Sequence, residues 1–331
     1  MKIFIIFSFK QGPYGGGNQF LKALRKEFKK NNAYAERPEQ ADVFLFNSFQ
    51  DAEKVIKLKR RFIDKPFVHR VDGPIALYRN SKNTFPDKLI FELNKKIAQA
   101  TIFQSFFSLR ENKRLGLKLD NPYKIIKNAA QKDIFYPAAD RDFDFSKRKA
   151  RLISTSWSDN MMKGFEVYQY LDKHLDFSKY DYVFVGRTPV EFKNIKMLSP
   201  RSSRELAALM RESDIYITAS RKDPCSNSLI EALSSGLPAV ALNDGGHPEI
   251  IGGGGELFLK KQEIQGKLEL IVNNHSKYVK KIPAFDISRV SVEYLEFIKK
   301  TAERGAGGEK IKKISLRDEL GLRLKLMLNR K

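Results

Sequence analysis

The amino-acid sequence predicts an α/β protein with two Rossmann-like domains, each built on a parallel sheet. The first observation is an apolar run at 2–9, followed by a glycine-rich segment at 11–18 and a helical pattern at 19–30. The second is the recurrence of this order, strand, polar loop and apolar helix stripe, at 151–171. A length of 331 residues fits two domains.

Further strand and helix patterns continue both halves. Strand-like runs occur at 43–47, 98–107, 123–128, 182–186 and 214–219, the run at 98–107 ending in the start of a helix. Helical patterns occur at 201–212 and 286–301. The glycine-rich segment lacks the third glycine of a dinucleotide fingerprint, and no acidic residue ends the next strand. A nicotinamide or flavin cofactor is therefore not predicted.

Ionisable residues end the strand that begins near Phe67. His69 and Asp72 precede a Gly-Pro turn, and the carboxyl ends of buried strands are where open α/β sheets place ligands. Both residues are candidates for the catalytic site. The alternative is structural, with His69 hydrogen-bonded in the interior and Asp72 capping the turn.

The segment from Asp223 to Glu249 is the most informative part of the chain. Ser226, Asn227 and Ser228 are helix-capping residue types that precede an apolar pair, so a helix is expected to begin there. Its free N–H groups and positive dipole end suit a phosphate. Glu231 is better placed to accept hydrogen bonds from ribose or sugar hydroxyls.

This segment resembles the donor-binding motif of the retaining GT-B glycosyltransferases, glycosyltransferase family 4 or glycosyl transferases group 1. In that family two acidic residues with the spacing of Asp223 and Glu231 hold the nucleotide-sugar. Asp stands at 223 where the family usually has Glu. The glycine turn at 236–238 and the loop at 244–249 also resemble the family.

The resemblance implies a GT-B fold, whose two Rossmann-like domains face a central cleft. Lys163, in a Lys-Gly pair, matches the family's lysine for the donor diphosphate. No Arg stands at the usual position in the same loop, so Asn160 or Ser158 is expected to contribute neutral hydrogen bonds. Arg187 corresponds to the position that contacts the nucleobase.

By the same resemblance, Gly16 and Gly17 lie near the donor phosphates, although each also fits an ordinary tight turn. The implied donor is a UDP- or GDP-sugar, used with retention and without a metal or another cofactor. Asp142-Phe-Asp144 could suggest a metal-binding Asp-x-Asp. It lies among lysines and arginines and is interpreted as solvated charge.

Five segments are expected along the chain. They are an acceptor domain at 1–137, a linker at 138–149, a nucleotide-sugar domain at 150–285, a helix crossing back at 286–304 and a basic amphipathic tail at 305–331. From Glu309 onward the tail has eight Lys or Arg against three Asp or Glu. Such a helix fits an anionic membrane surface, or its leucines pack on the protein while its charges are solvated.

Composition limits the remaining choices. Lys and Arg number 61 against 39 Asp and Glu, a net charge of +22 that favours anionic partners such as acidic glycans, lipid surfaces or nucleic acid. The single cysteine, Cys225, indicates a reducing compartment, and neither a signal peptide nor a membrane span is predicted. A cytoplasmic enzyme is expected, with a peripheral location on the cytoplasmic membrane face as the alternative, and its acceptor is expected to be a glycan or glycolipid.

Two alternatives remain. A catalytically silent glycosyltransferase-like subunit would explain Asp at 223 and the missing loop Arg. A nucleic-acid-binding α/β protein would explain the charge, although no helix-turn-helix, aromatic RNA-binding signature or zinc module is present. Nucleic acid is therefore not expected as a partner.

Overall fold

The computed structural model describes residues 1–12, 16–139, 143–307 and 310–328, without the side chains of 305, 306 and 328. The chain divides into two compact units. The first unit contains residues 1–9, 21–127 and 288–331, and the second contains residues 10–20 and 128–287.

The first unit is built on a five-stranded parallel sheet. Its strands are β1 (Ile3–Ile6), β2 (Val43–Asn47), β3 (Phe67–Val71), β4 (Ala100–Phe103) and β5 (Tyr123–Ile125), in the order β1-β2-β3-β4-β5. The residues of β1 to β4 are all buried, which is why these strands are continuous apolar runs instead of alternating patterns. The polar exceptions, such as His69, are therefore conspicuous.

Helices cover this sheet. They are α1 (Gly16–Lys30), whose first residues group with the second unit, α2 (Ala52–Arg61), α3 (Ile75–Arg79), α4 (Phe85–Ile97), α5 (Phe106–Arg114), α12 (Ile287–Ala306) and α13 (Leu316–Leu328). Phe44, Phe46 and Phe67 lie in the core between sheet and helices, and Ile314 and Leu322 of the tail join it.

The second unit has a six-stranded parallel sheet. Its strands are β6 (Ala150–Ser156), β7 (Tyr180–Gly186), β8 (Lys196–Leu198), β9 (Ile215–Thr218), β10 (Ala239–Leu242) and β11 (Gly255–Phe258), in the order β11-β10-β9-β6-β7-β8. The strand order reverses between β6 and β9. In open parallel sheets ligands bind at such a point, beyond the carboxyl ends of the strands.

The second unit's helices are α6 (Phe165–His174), α7 (Ser203–Glu212), α8 (Asn227–Ser234), α9 (His247–Ile251), α10 (Ile264–Asn273) and α11 (His275–Val279). Its core consists of two mainly apolar clusters, one on each face of the sheet, and Tyr168 and Tyr182 belong to one of them. The hydroxyl of Tyr168 accepts a hydrogen bond from the N–H of Ala219, and that of Tyr182 bonds Ser154. Burial raises the pKa of Tyr168 to about 12.

The expected two parallel-sheet α/β domains are confirmed, with differences at element ends. The first strand is four residues long instead of eight, because its pairing with β2 stops at Ile6. The first helix begins at Gly16, three residues earlier than its apolar stripe predicts, since glycines give no periodic signal.

Glycine is required at the end of β7. Gly186 has a φ of 126°, and a Cβ there would overlap the carbonyl oxygen of Ser156 on the neighbouring β6. We expect Gly186→Ala to lower the free energy of unfolding by about 2–4 kcal/mol, measured by urea denaturation. The control is Gly266→Ala in α10, where no atom lies within 4 Å of the new Cβ. It should be neutral or stabilising by about 0.5–1 kcal/mol.

Candidate active site

The loop after β6 brings Lys163 to the edge where the strands of the second unit end. It forms a short 3-10 turn capped by Asn160, whose Oδ1 accepts a backbone N–H two residues later at 3.0 Å. Gly164 follows with a φ of 77°, and a side chain there would overlap the backbone of Ala219. Close packing against the end of β9 therefore requires the glycine of the Lys-Gly pair and leaves Lys163 partly exposed.

Asp223 lies beside Lys163. Its Oδ2 is 3.3 Å from the Lys163 Nζ, and its Oδ1 accepts the N–H of Cys225 at 3.2 Å. The backbone carbonyl of Asp223 accepts the N–H of Gly246 at 2.8 Å, and a side chain at Gly245 would overlap that carbonyl. Three loops, after β6, β9 and β10, thus meet where the strand order of the sheet reverses.

The predicted helix start after Asp223 is confirmed. The Oγ of Ser226, which is buried, accepts the N–H of Leu229 at 3.4 Å, and α8 begins at Asn227. The Ser228 hydroxyl contacts that of Ser226 at 3.3 Å and hydrogen-bonds Tyr216. No acidic residue occupies the first turn, so the N–H groups and positive dipole end are not neutralised locally.

The glycine-rich segment contributes a second helix start to the same unit. A Cβ on Gly16, the first residue of α1, would overlap the Asn227 side chain, whose Oδ1 accepts the Nδ2–H of Asn128 at 3.1 Å. Gly17 has open space around its Cα. Gly16 therefore allows the first turn of α1 to approach the first turn of α8, and neither turn carries a carboxylate.

Glu231 lies one turn into α8. The side chain is partly buried, and within the described ranges its carboxylate has neither a cation nor a hydrogen-bond donor. Burial raises its pKa to about 8. A buried carboxylate without a partner is costly, so Glu231 is suited to accept hydrogen bonds from an incoming ligand.

His247 is a further polar residue of this site that the sequence motif contained without a predicted role. It is fully buried, and its Nδ1 lies 2.9 Å from the carbonyl oxygen of Leu242, which makes Nδ1 the protonated nitrogen. Its Nε2 has no hydrogen-bond partner among the residues that the structure describes. Burial lowers its pKa, opposed by the nearby Asp223 carboxylate. In the sequence, the indication of a role for His247 is its position in the loop that follows β10.

Arg187 follows β7 at the same edge of the sheet. Its side chain is exposed, and its backbone N–H donates to the carbonyl of Ser156 at 2.7 Å. Lys163, Arg187 and the α8 start thus stand at the carboxyl ends of neighbouring strands. This arrangement offers a cation and free N–H groups for an anion, with a carboxylate acceptor for hydroxyls.

Asp72 lies at the corresponding edge of the first unit. Its carboxylate accepts hydrogen bonds from Arg70 Nη1 at 2.6 Å, Asn47 Nδ2 at 2.9 Å and Gln104 Nε2. Its N–H donates to the Ser48 hydroxyl at 3.0 Å. The donors come from the ends of β2, β3 and β4, and the Asp72 side chain remains 22% exposed.

His69 is fully buried behind this group. Asn94 Nδ2 donates to its Nδ1 at 3.2 Å, so its Nε2 carries the proton and donates to the carbonyl of Ser48 at 2.9 Å. Its ring stacks on Phe46 at 4.1 Å, and burial lowers its pKa to about 3. His69 is therefore neutral and positions Ser48, whose hydroxyl in turn contacts Asp72.

Residues 191–282 match the family model described as Glycosyl transferases group 1. The matched segment contains Asp223, Glu231 and His247 but not Lys163. No curated protein matches the chain. The match supports a glycosyltransferase of this group for the second unit.

Solved structures match nearly the whole chain. HepE of Anabaena in complex with UDP has a TM-score of 0.68 at 14% identity, covering 91% of this chain and 100% of that one. The fold is GT-B. A trehalose-6-phosphate protein from E. coli bound with UDP-2-fluoro glucose gives a TM-score of 0.63 at 10% identity, covering 90% and 99%. Sucrose-phosphate synthase from Thermosynechococcus elongatus gives 0.59 at 12% identity, covering 98% and 83%.

The GT-B assignment extends over both units, and the family match and these neighbours together support a GT-B glycosyltransferase. In the parts of the chain that the structure describes, no helix combines the length and apolar character needed to cross a bilayer. The Asp-x-Asp of the predicted linker is only partly covered, because Asp142 lies outside the described residues. Asp144 pairs with Lys147 at 2.8 Å.

Proposed function

We propose that the chain is a retaining family 4 glycosyltransferase that moves a hexosyl group from a nucleoside-diphosphate sugar to an acceptor hydroxyl. The observation that carries this proposal is the meeting of Lys163 and Asp223 next to the start of α8. One turn later, the carboxylate of Glu231 has no partner among the described residues. The family match over residues 191–282 supports the same reading.

The proposed reaction breaks the bond between the anomeric carbon and the diphosphate oxygen. The diphosphate leaves with the electron pair, the acceptor oxygen bonds the anomeric carbon from the same face, and the configuration is retained. Lys163 and the N–H groups of α8 stabilise the growing negative charge, so the proposed chemistry is metal-independent. Glu231 and Asp223 hold the ribose and the sugar, and Arg187 and Asn160 lie toward the nucleobase and diphosphate.

Between the two candidates of the first unit, we assign the catalytic-site role to Asp72 and a positioning role to His69. Asp72 keeps solvent exposure, whereas both ring nitrogens of His69 are engaged in the interior. We expect Asp72→Asn to lower the kcat of transfer about 10–100-fold, measured well below the melting transition. It should also lower the melting temperature, because the fully buried guanidinium of Arg70 loses its paired carboxylate.

His69→Gln provides the contrasting variant. We expect it to lower the free energy of unfolding by about 2–3 kcal/mol, because the Phe46 stack and one buried hydrogen bond are lost. If His69→Gln loses activity at full stability while Asp72→Asn remains active, the two roles are reversed.

The proposed donor is a UDP-sugar, with a GDP-sugar as the second choice, because HepE and the E. coli neighbour are bound with UDP or a UDP-sugar. The net charge of +22 supports an anionic or lipid-linked glycan acceptor in polysaccharide assembly. The proposed location is the cytoplasm, at the membrane face.

A ligand screen tests the proposal directly. Trp157, the only tryptophan, lies in the loop that carries Lys163, so its fluorescence should change when UDP or GDP and their sugars bind. We expect one nucleotide class to bind and its sugar to be transferred or hydrolysed. Nucleotide binding without either reaction would favour a silent subunit, and tight sequence-selective nucleic-acid binding without nucleotide-sugar affinity would reject the enzyme.

A further inference from the structure

The C-terminal helix α13 has apolar side chains on two sides. On the inner side Leu322 is buried in the core of the first unit, and Leu326 packs against that core. On the outer side four large side chains are 57–68% exposed, namely Leu316, Leu320, Leu324 and Met327. At 100° per residue these four, here called the outer row, lie within about 80° of one another around the helix. The core therefore leaves a continuous apolar face uncovered.

Contacts on its inner side attach α13 to the rest of the first unit, so the outer row lies on a helix that is held in place. Two ion pairs join α13 to α4. Asp318 is 2.7 Å from the Nζ of Lys96, and the Nζ of Lys325 is 3.3 Å from Glu92. The segment before the helix is held by Lys312, whose N–H donates to Gln99 at 2.9 Å. Covering the outer row thus requires no detachment of the tail.

Cations border the outer row. Arg317 and Arg323 flank it on its two sides along the helix, and Arg317 has no ion-pair partner in the described part of the chain. The adjacent α2 carries four exposed Lys or Arg, besides the buried Lys59, and one Glu. An apolar row between cations fits the boundary between the headgroups and acyl chains of an anionic bilayer.

A second copy of the chain fits this face less well. A standard interface buries about 800 Å² per partner, more than four side chains of one helix supply. Two copies, each of charge +22, would also bring like-charged rims together.

We propose that α13 docks this protein on an anionic lipid bilayer, with the outer row inserted among the acyl chains and the flanking arginines at the phosphates. The two alternatives stated for the tail, packing on the protein and contact with a membrane, then apply to different leucines. Leu322 packs on the protein, and Leu320 and Leu324 contact the lipid. This inference does not depend on the proposed sugar transfer.

Co-sedimentation of the full chain with lipid vesicles tests the proposal. We expect binding to vesicles containing phosphatidylglycerol, weak binding to pure phosphatidylcholine, and release by salt. The double variant L320D/L324D should bind anionic vesicles at least about tenfold more weakly with an unchanged melting temperature, since both side chains are exposed in the folded state.

The matched control is L259D, because Leu259 is 69% exposed but lies in the second unit, outside any such row. It should bind like the original chain. Undiminished vesicle binding of L320D/L324D would overturn the proposal. A concentration-dependent dimer that this double variant abolishes, without vesicle binding of the original chain, would overturn it in favour of self-association.

Discussion

Replacing Lys163 by alanine is expected to lower kcat/KM for glycosyl transfer by about 10²–10³-fold while the protein stays folded. Negative charge grows on the diphosphate as the glycosidic bond breaks, and Lys163 is the cation that the loop after β6 brings to the start of α8. The loop itself, residues 157–164, contains no arginine. A larger share of the charge stabilisation therefore falls on the one lysine.

The Lys163–Asp223 ion pair sharpens this prediction. Lys163 Nζ lies 3.3 Å from Asp223, so the Lys163 ammonium must turn from this carboxylate toward the diphosphate when a donor binds. The pair is partly exposed and contributes at most about 1 kcal/mol to stability. The alanine variant should thus unfold at nearly the original urea concentration.

Lys267→Ala supplies the matched control. Lys267 is 30% exposed and pairs with Glu256 at 2.9 Å, which resembles the 34% exposure and the ion pair of Lys163, but it lies on α10 away from the site. It should retain full activity. Equal losses of activity in Lys163→Ala and Lys267→Ala would show that the effect comes from losing an ion pair. Unchanged transfer activity in Lys163→Ala would show that Lys163 is not part of the site.

The local structure around the second unit's candidate site could be predicted from the sequence motif, because the parts of that motif are close together in the chain. The cap at Ser226, the glycine turns and the Lys-Gly pair are short-range features, and each is required by the backbone around it. The sheet reversal between β6 and β9 then brings the three loops together. That meeting is a property of the topology, which the parallel-sheet pattern anticipates.

Other parts depend on long-range contacts and could not be predicted. The choice between His69 and Asp72 rests on Ser48, Asn94 and Gln104, which come from separate strands and helices and carry no motif. The His247 ring stands out only because it is buried and because its Nε2 has no hydrogen-bond partner in the part of the chain that the structure describes. The tail's two apolar sides were likewise indistinguishable by periodicity, because apolar residues on opposite sides weaken any single stripe.

Replacing Glu231 by glutamine is expected to have two opposite effects, weaker binding of the nucleotide-sugar and a more stable protein. The carboxylate is partly buried without a partner among the described residues, and burial raises its pKa to about 8. Loss of charged hydrogen bonds to ribose or sugar hydroxyls should weaken UDP-glucose binding about 10–100-fold. A residue kept only for stability would not give this combination.

The sign of the stability effect follows from proton linkage. Since the folded-state pKa of about 8 exceeds the ordinary glutamate pKa of 4.5, the folded protein holds an extra proton between these values and loses stability as the pH rises through them. Glutamine cannot ionise. The variant's advantage should be near zero below pH 4.5 and reach about 2–4 kcal/mol above pH 8, measured as urea unfolding across this range.

The ionisation of Glu231 should also appear in the pH dependence of UDP-glucose binding. A carboxylate that accepts hydroxyl hydrogen bonds must be deprotonated, so UDP-glucose affinity should rise with pH up to about 8 and then level off, with proton release visible by calorimetry in buffers of different ionisation enthalpy. In Glu231→Gln both the rise and the proton release should disappear.

Glu269→Gln is the control for both measurements, because Glu269 is a partly buried helical glutamate of α10 outside the site. It should reproduce neither the gain in stability nor the loss of UDP-glucose affinity expected for Glu231→Gln. Should Glu231→Gln gain stability but bind UDP-glucose with unchanged affinity and unchanged proton release, the buried carboxylate would have no part in holding the donor. The site would then have to be rebuilt around Lys163 and the start of α8 alone.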